Sequence, residues 1–224
     1  MKFYTCVSGH YKDLIPLYTF CIKRVYPNAE VLIDKEPKDP SKKRFLKDVK
    51  GGYVHITDAD ILILPHEKTH EQYYSKFMVN GASYLRGATE SGKESWYGDR
   101  ERICGGHMGV TEEYYRRTKD SRAKYLTSGI GSYREADEVL LATILKENGY
   151  PIPEKPYTFP DGTEWNWEYR DLHLNDFASN KFLKWKPDIV KCRELVSDPE
   201  FWAMTVDLDS VWRNLIHNVQ EYCL

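Results

Sequence analysis

An α/β fold is the class this sequence predicts, on three observations. Short β-like runs alternate with stretches whose apolar residues recur at helical spacing: "KFYTCV", then "LIPLYTFCIKRVY", then "EVLID". The length of 224 residues suits one domain of ordinary size and buries a core without staples. The stretch "YVHITDADILIL" reads as a buried strand with two aspartates in its middle, and open α/β sheets bind ligands beyond their strand ends.

Each element follows in order. The first strand ends at Ser8-Gly9, and the helix after it closes at Pro27-Asn28. The second strand, "EVLID", leads into the polar, Pro-containing loop "KEPKDPSKK", and "RFLKDVKG" supplies at least a helical turn. Residues 53–64 read as strand, break and extension, while "GASYLRGA" and "ERICGGHMGV" read as further strands. One helix capped at Thr111 is expected over "TEEYYRRTKDSRAKYLTS", and another over "READEVLLATILKENGY", ending near Asn148-Gly149. The tail beyond Lys181 carries several Trp residues and is expected to lay helices over the core. No internal repeat, low-complexity tract or clear linker interrupts this order.

Composition narrows the function classes. Charged residues make up 29% and the net charge is -2, so no overall basic excess demands a polyanionic partner. Five cysteines, odd in number and without a C-x-x-C, suit free thiols in a reducing, cytoplasmic setting. His10, Lys12 and Asp13 break the first apolar stretch too early for a signal sequence, and no run reaches transmembrane length, so no membrane anchor is expected.

The acid pair is the main chemical signal. In an extended strand residues i and i+2 share a face, so Asp58 and Asp60 present paired carboxylates to one cation if the extended geometry persists. Oxygen ligands suit Mg²⁺ or Mn²⁺, ions that commonly share their coordination with a substrate's phosphates. A D-x-D also arises by chance, and "VDLDSVW" supplies an internal control: Asp207 and Asp209 precede a helical pattern and read as N-capping. The stretch "GATESGKES" nearly matches a phosphate-binding loop. Glu94 stands where that loop needs a hydroxyl, however, and the segment reads as an ordinary loop.

With "TCVSGHY", "HITDADILIL", "CGGHMGV", "READEVLL" and "DLHLNDF" in that order, residues 3 to 185 resemble the GT-A glycosyltransferases, especially the glycogenin-like family 8 and the blood-group-transferase-like family 6. The resemblance implies a GT-A catalytic domain over residues 1–185, Rossmann-like, with a mixed, mostly parallel sheet flanked by helices. Residues 186–224 form a C-terminal helical extension packed on it. A UDP-sugar donor is implied, bound through Mn²⁺ or Mg²⁺ at Asp58 and Asp60, with His173 as third protein ligand. Asp137 and Glu138 match the acidic element beside the donor sugar; acids of a first helical turn also favour the helix dipole without any ligand. Ser8 and Tyr11 match the loop that holds the base, Tyr11 by stacking on uracil, and Arg44 matches a basic residue that contacts ribose or diphosphate. Gly105 and Gly106 would let a donor sugar approach the backbone, with His107 as hydrogen-bonding partner; a simple turn is the alternative. The family's glycine and K-P-W ending is absent here, and Lys181 or Lys184 takes the place of its diphosphate-binding lysine.

The expected function is thus a metal-dependent retaining glycosyltransferase acting on an acceptor hydroxyl. A nucleotidyltransferase of similar fold and a non-catalytic nucleotide- or carbohydrate-binding module are the alternatives. The acceptor, whether a soluble glycan, a protein or a modified nucleic-acid base as in phage-type DNA glycosylation, is not legible. Two features bear on it. The basic run "RRTKDSRAK", with Arg116, Arg117, Lys119, Arg122 and Lys124, offers a phosphate-tracking face or a solvated one, and Trp165 and Trp167 offer a stacking platform or loop anchors.

Overall fold

The computed structural model describes residues 1–36, 40–87, 101–127, 137–178 and 187–224. In chain order they form β1 (Lys2–Val7), a 3-10 segment (Gly9–Leu14), α1 (Ile15–Val25), β2 (Glu30–Lys35), α2 (Pro40–Leu46), β3 (Val54–Thr57) and β4 (Ile61–Leu62). Next come α3 (His70–Tyr74), β5 (Ala82–Ser83), β6 (His107–Val110), α4 (Glu112–Arg117), α5 (Lys119–Thr127) and α6 (Asp137–Glu147). The chain finishes with β7 (Leu172–His173), α7 (Leu174–Ala178), α8 (Ile189–Val196), α9 (Pro199–Ala203) and α10 (Ser210–Cys223).

The main sheet has the strand order β2-β1-β3-β6-β5. β1 pairs in parallel with β2 and β3, β6 runs antiparallel to β3, and β5 antiparallel to β6, so within this mixed, mostly parallel sheet only β6 points against the rest. Alternation along the strands sorts residues to two faces. Tyr4, Val54, Ile56, Met108 and Val110 pack with Phe45, Tyr114, Leu141 and Leu145 on one side, while Phe3 packs with Tyr18 and Ile22 of α1 on the other. A separate two-stranded ribbon pairs β4 antiparallel to β7, setting Ile61 opposite His173. The C-terminal helices α8, α9 and α10 share a core with α1, β4 and α7, in which Trp212, Leu195 and Phe201 bury against Leu17, Leu62 and Phe177.

Three expectations about elements change. The helix after Thr111 is two helices, broken at Thr118, whose backbone N–H and hydroxyl both donate to the Tyr114 carbonyl. Thr111 does not cap with its side chain; its hydroxyl donates to the Gly81 carbonyl at 3.2 Å. The runs around residues 82–87 and 101–110 yield only short strands. Their remaining lengths are tied by single bonds, such as Cys104 N–H to the Leu85 carbonyl at 2.8 Å. Apolar continuity does not distinguish a laddered strand from an extended segment bonded at intervals.

Candidate active site

β1 and β3 both end at the same edge of the sheet, and β6 begins there, so Ser8, Asp58 and His107 all lie at that edge. β3 stops at Thr57. Asp58 then accepts the Ile61 N–H on its carbonyl at 3.3 Å, which makes residues 58–61 a turn. The extended geometry that would set both carboxylates on one strand face therefore does not persist; the turn brings them together instead. Asp58, Asp60 and His173 each offer one ligand atom, all within 4.8 Å of one another.

Asp60 is almost wholly buried, and its surroundings repay that cost. The Asn175 side-chain amide donates to its carboxylate, and His173 Nε2 lies 3.1 Å from the same oxygen. The ribbon holds both partners in place: the Leu174 N–H donates to the Asp60 carbonyl at 2.9 Å. Burial pushes the Asp60 carboxyl up, but the charge and hydrogen bond of His173 outweigh it and hold the group below its ordinary value. Burial likewise pushes His173 down, and Asp60 and Asp176 outweigh it to raise the imidazole. Asp176 Oδ1 stands 3.6 Å from His173 Nδ1 and is itself gripped by Arg170, so a carboxylate braces each side of the ring.

Arg44 is the centre of the other half. It is 2% exposed, yet its guanidinium reaches Asp58, donates to the Gly105 carbonyl at 2.8 Å and pairs with Asp137 at 3.1 Å. The fork expected to face a donor's ribose or diphosphate is turned inward, bracing Asp58 against the first turn of α6. Adjacent helical residues point about 100° apart. Asp137 accordingly faces Arg44, while its neighbour Glu138 lines a cleft of about 290 Å³ together with Asp58, Gly106 and His173. Burial, then the charge of Asp137, pushes the Glu138 carboxyl up; the Gly105 backbone hydrogen bond opposes them.

The two glycines differ in their surroundings. A Cβ on Gly105 would stand 3.2 Å from both Arg44 Nη2 and Asp137 Oδ2, so the missing side chain makes room for that ion pair. Gly106 lines the cleft. His107 also reaches the cleft but spends both ring nitrogens on protein, Nε2 at 2.9 Å from His55 Nδ1 and Nδ1 at 3.6 Å from Asp171. Ser8 precedes the 3-10 segment without capping it through its side chain. Tyr11 packs its ring against His10 and Trp212, and its hydroxyl accepts from Asn175 at 2.9 Å. Lys181 and Lys184 lie outside the described residues, as does most of the stretch resembling a phosphate loop.

Trp165 lines the cleft, and Trp167, 37% exposed, packs on it and on Tyr157. Three of the five groups in the basic run have partners within the fold. Arg122 is buried and bonded to the Leu46 and Tyr115 carbonyls and to Asp48, while Arg117 pairs with Glu113 and Lys124 with Glu147. The control pair behaves as a cap: the Asp209 side chain accepts from the Val211 and Trp212 N–H groups at 2.9 and 3.1 Å.

Asn175, Asp176 and Arg170 are site residues that sequence reasoning missed. The available signal was their spacing of two or three residues from His173, within reach of the same end of a short helix.

No protein-family model matches the chain, and no curated protein matches it. Among solved structures it is similar to the galactosyltransferase LgtC in complex with donor and acceptor sugar analogues, at 9% identity and TM-score 0.44, over 63% of this chain and 69% of that one. It is also similar to the apo-form glycosyltransferase GlyE of Streptococcus pneumoniae TIGR4, at 11% identity and TM-score 0.46. That match covers 99% of this chain but 63% of GlyE, so the chain spans less than two thirds of GlyE's length. At such identities and TM-scores these likenesses assign no activity. Among the described residues no helix is long and apolar enough to cross a membrane.

Proposed function

We propose that this chain is a metal-dependent retaining glycosyltransferase that moves a sugar from a UDP-sugar to an acceptor hydroxyl. The observation that carries this is the convergence of Asp58, Asp60 and His173 at a strand end, on a cleft that also holds Glu138. The donor set fits a divalent ion that shares its coordination with phosphates: two carboxylates for Mn²⁺ or Mg²⁺, and an imidazole that favours Mn²⁺ of the two. Asp58, Asp60 and His173 would hold the ion. When bound, it neutralises the diphosphate as the donor's C1–O bond breaks.

The chain's own groups do the rest. Asn175 links the Asp60 carboxylate to Tyr11, so the loop proposed to hold uracil is tied to the metal carboxylate by hydrogen bonds. Arg44 keeps Asp58 and Asp137 in fixed relation. Glu138 faces the cleft beneath the position proposed for the sugar ring, where its carboxylate stabilises oxocarbenium character at C1 or forms a transient bond there. The acceptor oxygen bonds C1 on the face the diphosphate leaves, and the departing phosphate oxygen takes its proton. The aromatic wall of Trp165 and Tyr157 gives the acceptor a surface to stack on.

The test is incubation with a panel of UDP-sugars and Mn²⁺, followed by nucleotide analysis. UDP release dependent on Asp60 supports the proposal. Release of sugar 1-phosphate instead would assign a nucleotidyltransferase, and donor binding without any turnover would assign a binding module.

A further inference from the structure

Four of the chain's seven histidines, His55, His66, His70 and His107, gather at the back of the cleft. Three of them converge on one buried carboxylate. His70 Nε2 lies 2.8 Å from Asp171 Oδ2, His66 Nε2 lies 3.2 Å from Oδ1, and His107 Nδ1 lies 3.6 Å from Oδ2. We propose that His66, His70 and Asp171, with His107 beside them, form a second metal site, suited to Zn²⁺ and separate from the pair of Asp58 and Asp60. This inference does not rest on glycosyl transfer.

The chemistry of the donors differs between the two sites. The first offers two carboxylates and one imidazole; the second offers one carboxylate and two imidazoles, with a third imidazole, His107, 3.6 Å from the same carboxylate, a set that selects borderline transition metals. Spacing agrees as well. A tetrahedral ion with bonds of about 2.0 Å sets its ligand atoms about 3.3 Å apart, and one ligand atom each of His66, His70 and Asp171 already lies within 4.8 Å of the others, close enough for small side-chain shifts to close on an ion.

Outer partners also match. Histidines that bind metal usually engage a neighbour through their other ring nitrogen, which fixes the ring. His70 Nδ1 is 2.6 Å from the Tyr26 hydroxyl, and His107 Nε2 is 2.9 Å from His55 Nδ1. His66 Nδ1 faces Lys191 Nζ at 3.2 Å. An ammonium only donates, so without metal the proton of neutral His66 sits on Nε2, aimed at Asp171. For a metal to bind Nε2 that proton must move to Nδ1, which then no longer accepts from Lys191, and the ammonium turns toward Asp188, whose carboxylate is already 3.6 Å away. The site would tie the start of α3 and β6 to β7, three segments far apart in sequence, and so steady the strand that carries His173.

The experiment is metal analysis on the full chain, stripped with chelator, reloaded with Zn²⁺ and washed with excess Mn²⁺. About one equivalent of Zn²⁺ should remain per chain, and should still remain in the Asp58→Asn, Asp60→Asn double variant. His66→Gln and His70→Gln should each lower Zn²⁺ affinity about tenfold or more, with near-ultraviolet circular dichroism checking the fold. Co²⁺ titration of the wild type, which needs no variant, should give the strong visible bands of tetrahedral nitrogen-rich coordination. A wild-type chain that keeps no Zn²⁺ and gives no such bands overturns the proposal. So does Zn²⁺ content that follows Asp58 and Asp60 while ignoring His66 and His70.

Discussion

Replacing Arg44 by Met keeps most of the side chain's volume and removes its guanidinium. Three partners then lose their donor: Asp58, Asp137 and the Gly105 carbonyl. Breaking a buried ion pair from one side costs about 3–5 kcal/mol when the surviving charge is left dry. Here the Asp58 and Asp137 side chains are 30% and 22% exposed, so water recovers part of that loss. Met also regains contact with Phe45, over whose ring the guanidinium now lies at 4.7 Å. The expected cost is about 2–4 kcal/mol, read as a lower urea midpoint at unchanged slope. Arg44→Lys keeps the charge but loses the fork, and should fall between the two.

The same variant separates two roles. If Arg44 acts as the brace seen here, Mn²⁺ alone should bind Arg44→Met no more weakly than wild type, because a positive charge beside Asp58 has gone. UDP should then bind somewhat less well, through a looser site. Arg44→Met within about 0.5 kcal/mol of wild-type stability would refute the bracing role, since surface substitutions cost no more than that.

Other substitutions test the remaining parts. Asp60→Asn should abolish the Mn²⁺-dependent part of UDP binding in calorimetry, whereas Asp209→Asn should leave it intact; Asp209→Ala should cost about 1 kcal/mol of stability through the lost cap. Gly105→Ala should destabilise by about 1–3 kcal/mol, because its Cβ meets the Arg44–Asp137 pair and the overpacked site must shift. Glu138→Gln should lower turnover far more than donor affinity and should stabilise the fold at neutral pH. The sign follows from the raised pKa: the folded chain holds that proton more tightly than the unfolded one, so the wild type loses stability as pH rises through the folded value. The gain in Glu138→Gln should therefore vanish in acid, below the pKa of an ordinary glutamate, and a gain that persists there would argue against burial of this charge.

The sequence made some parts of this molecule legible and hid others for physical reasons. β1, α1 and β2 were readable because each carries a single clear period bounded by Ser8-Gly9 or Pro27-Asn28. The capping role of Asp209 was local and equally readable. The break at Thr118 was not, because it depends on a side chain that bonds its own helix and also accepts from Arg122 at 2.9 Å. Arg122 itself joined a basic run in the sequence and a buried network in the fold; charge alone does not reveal which carbonyls await it. Of the proposed metal ligands, Asp58 and Asp60 stood out within an apolar stretch. His173 was identified only by resemblance, since it meets Asp60 across 113 residues. His66 and His70 meet Asp171 across 105 and 101 residues, and nothing in "PHEKTH" indicates that both histidines turn inward.

What makes the acid pair tolerable is also what prepares it. Two carboxylates brought together by a turn repel each other, and an isolated pair would spread or take up a proton. Here Arg44 offsets Asp58 from one side and His173 offsets Asp60 from the other, each held by a second acid, Asp137 and Asp176. Each acid of the central pair thus has a positive neighbour on its outer side, which offsets much of their mutual repulsion before any ion arrives. An entering cation finds its ligands already assembled and does not bear the cost of ordering them. That preassembly has an electrostatic counterweight, because Arg44 also repels the cation and His173, its pKa raised by Asp60 and Asp176, must give up a proton before it can bind the ion. Affinity for a bare ion should on this account be modest, and it should rise when a diphosphate arrives with the metal, because its negative charge is offset by the same Arg44 and the same ion. Metal and nucleotide are thus expected to bind cooperatively, with the coupling weakened in Arg44→Met and lost in Asp60→Asn.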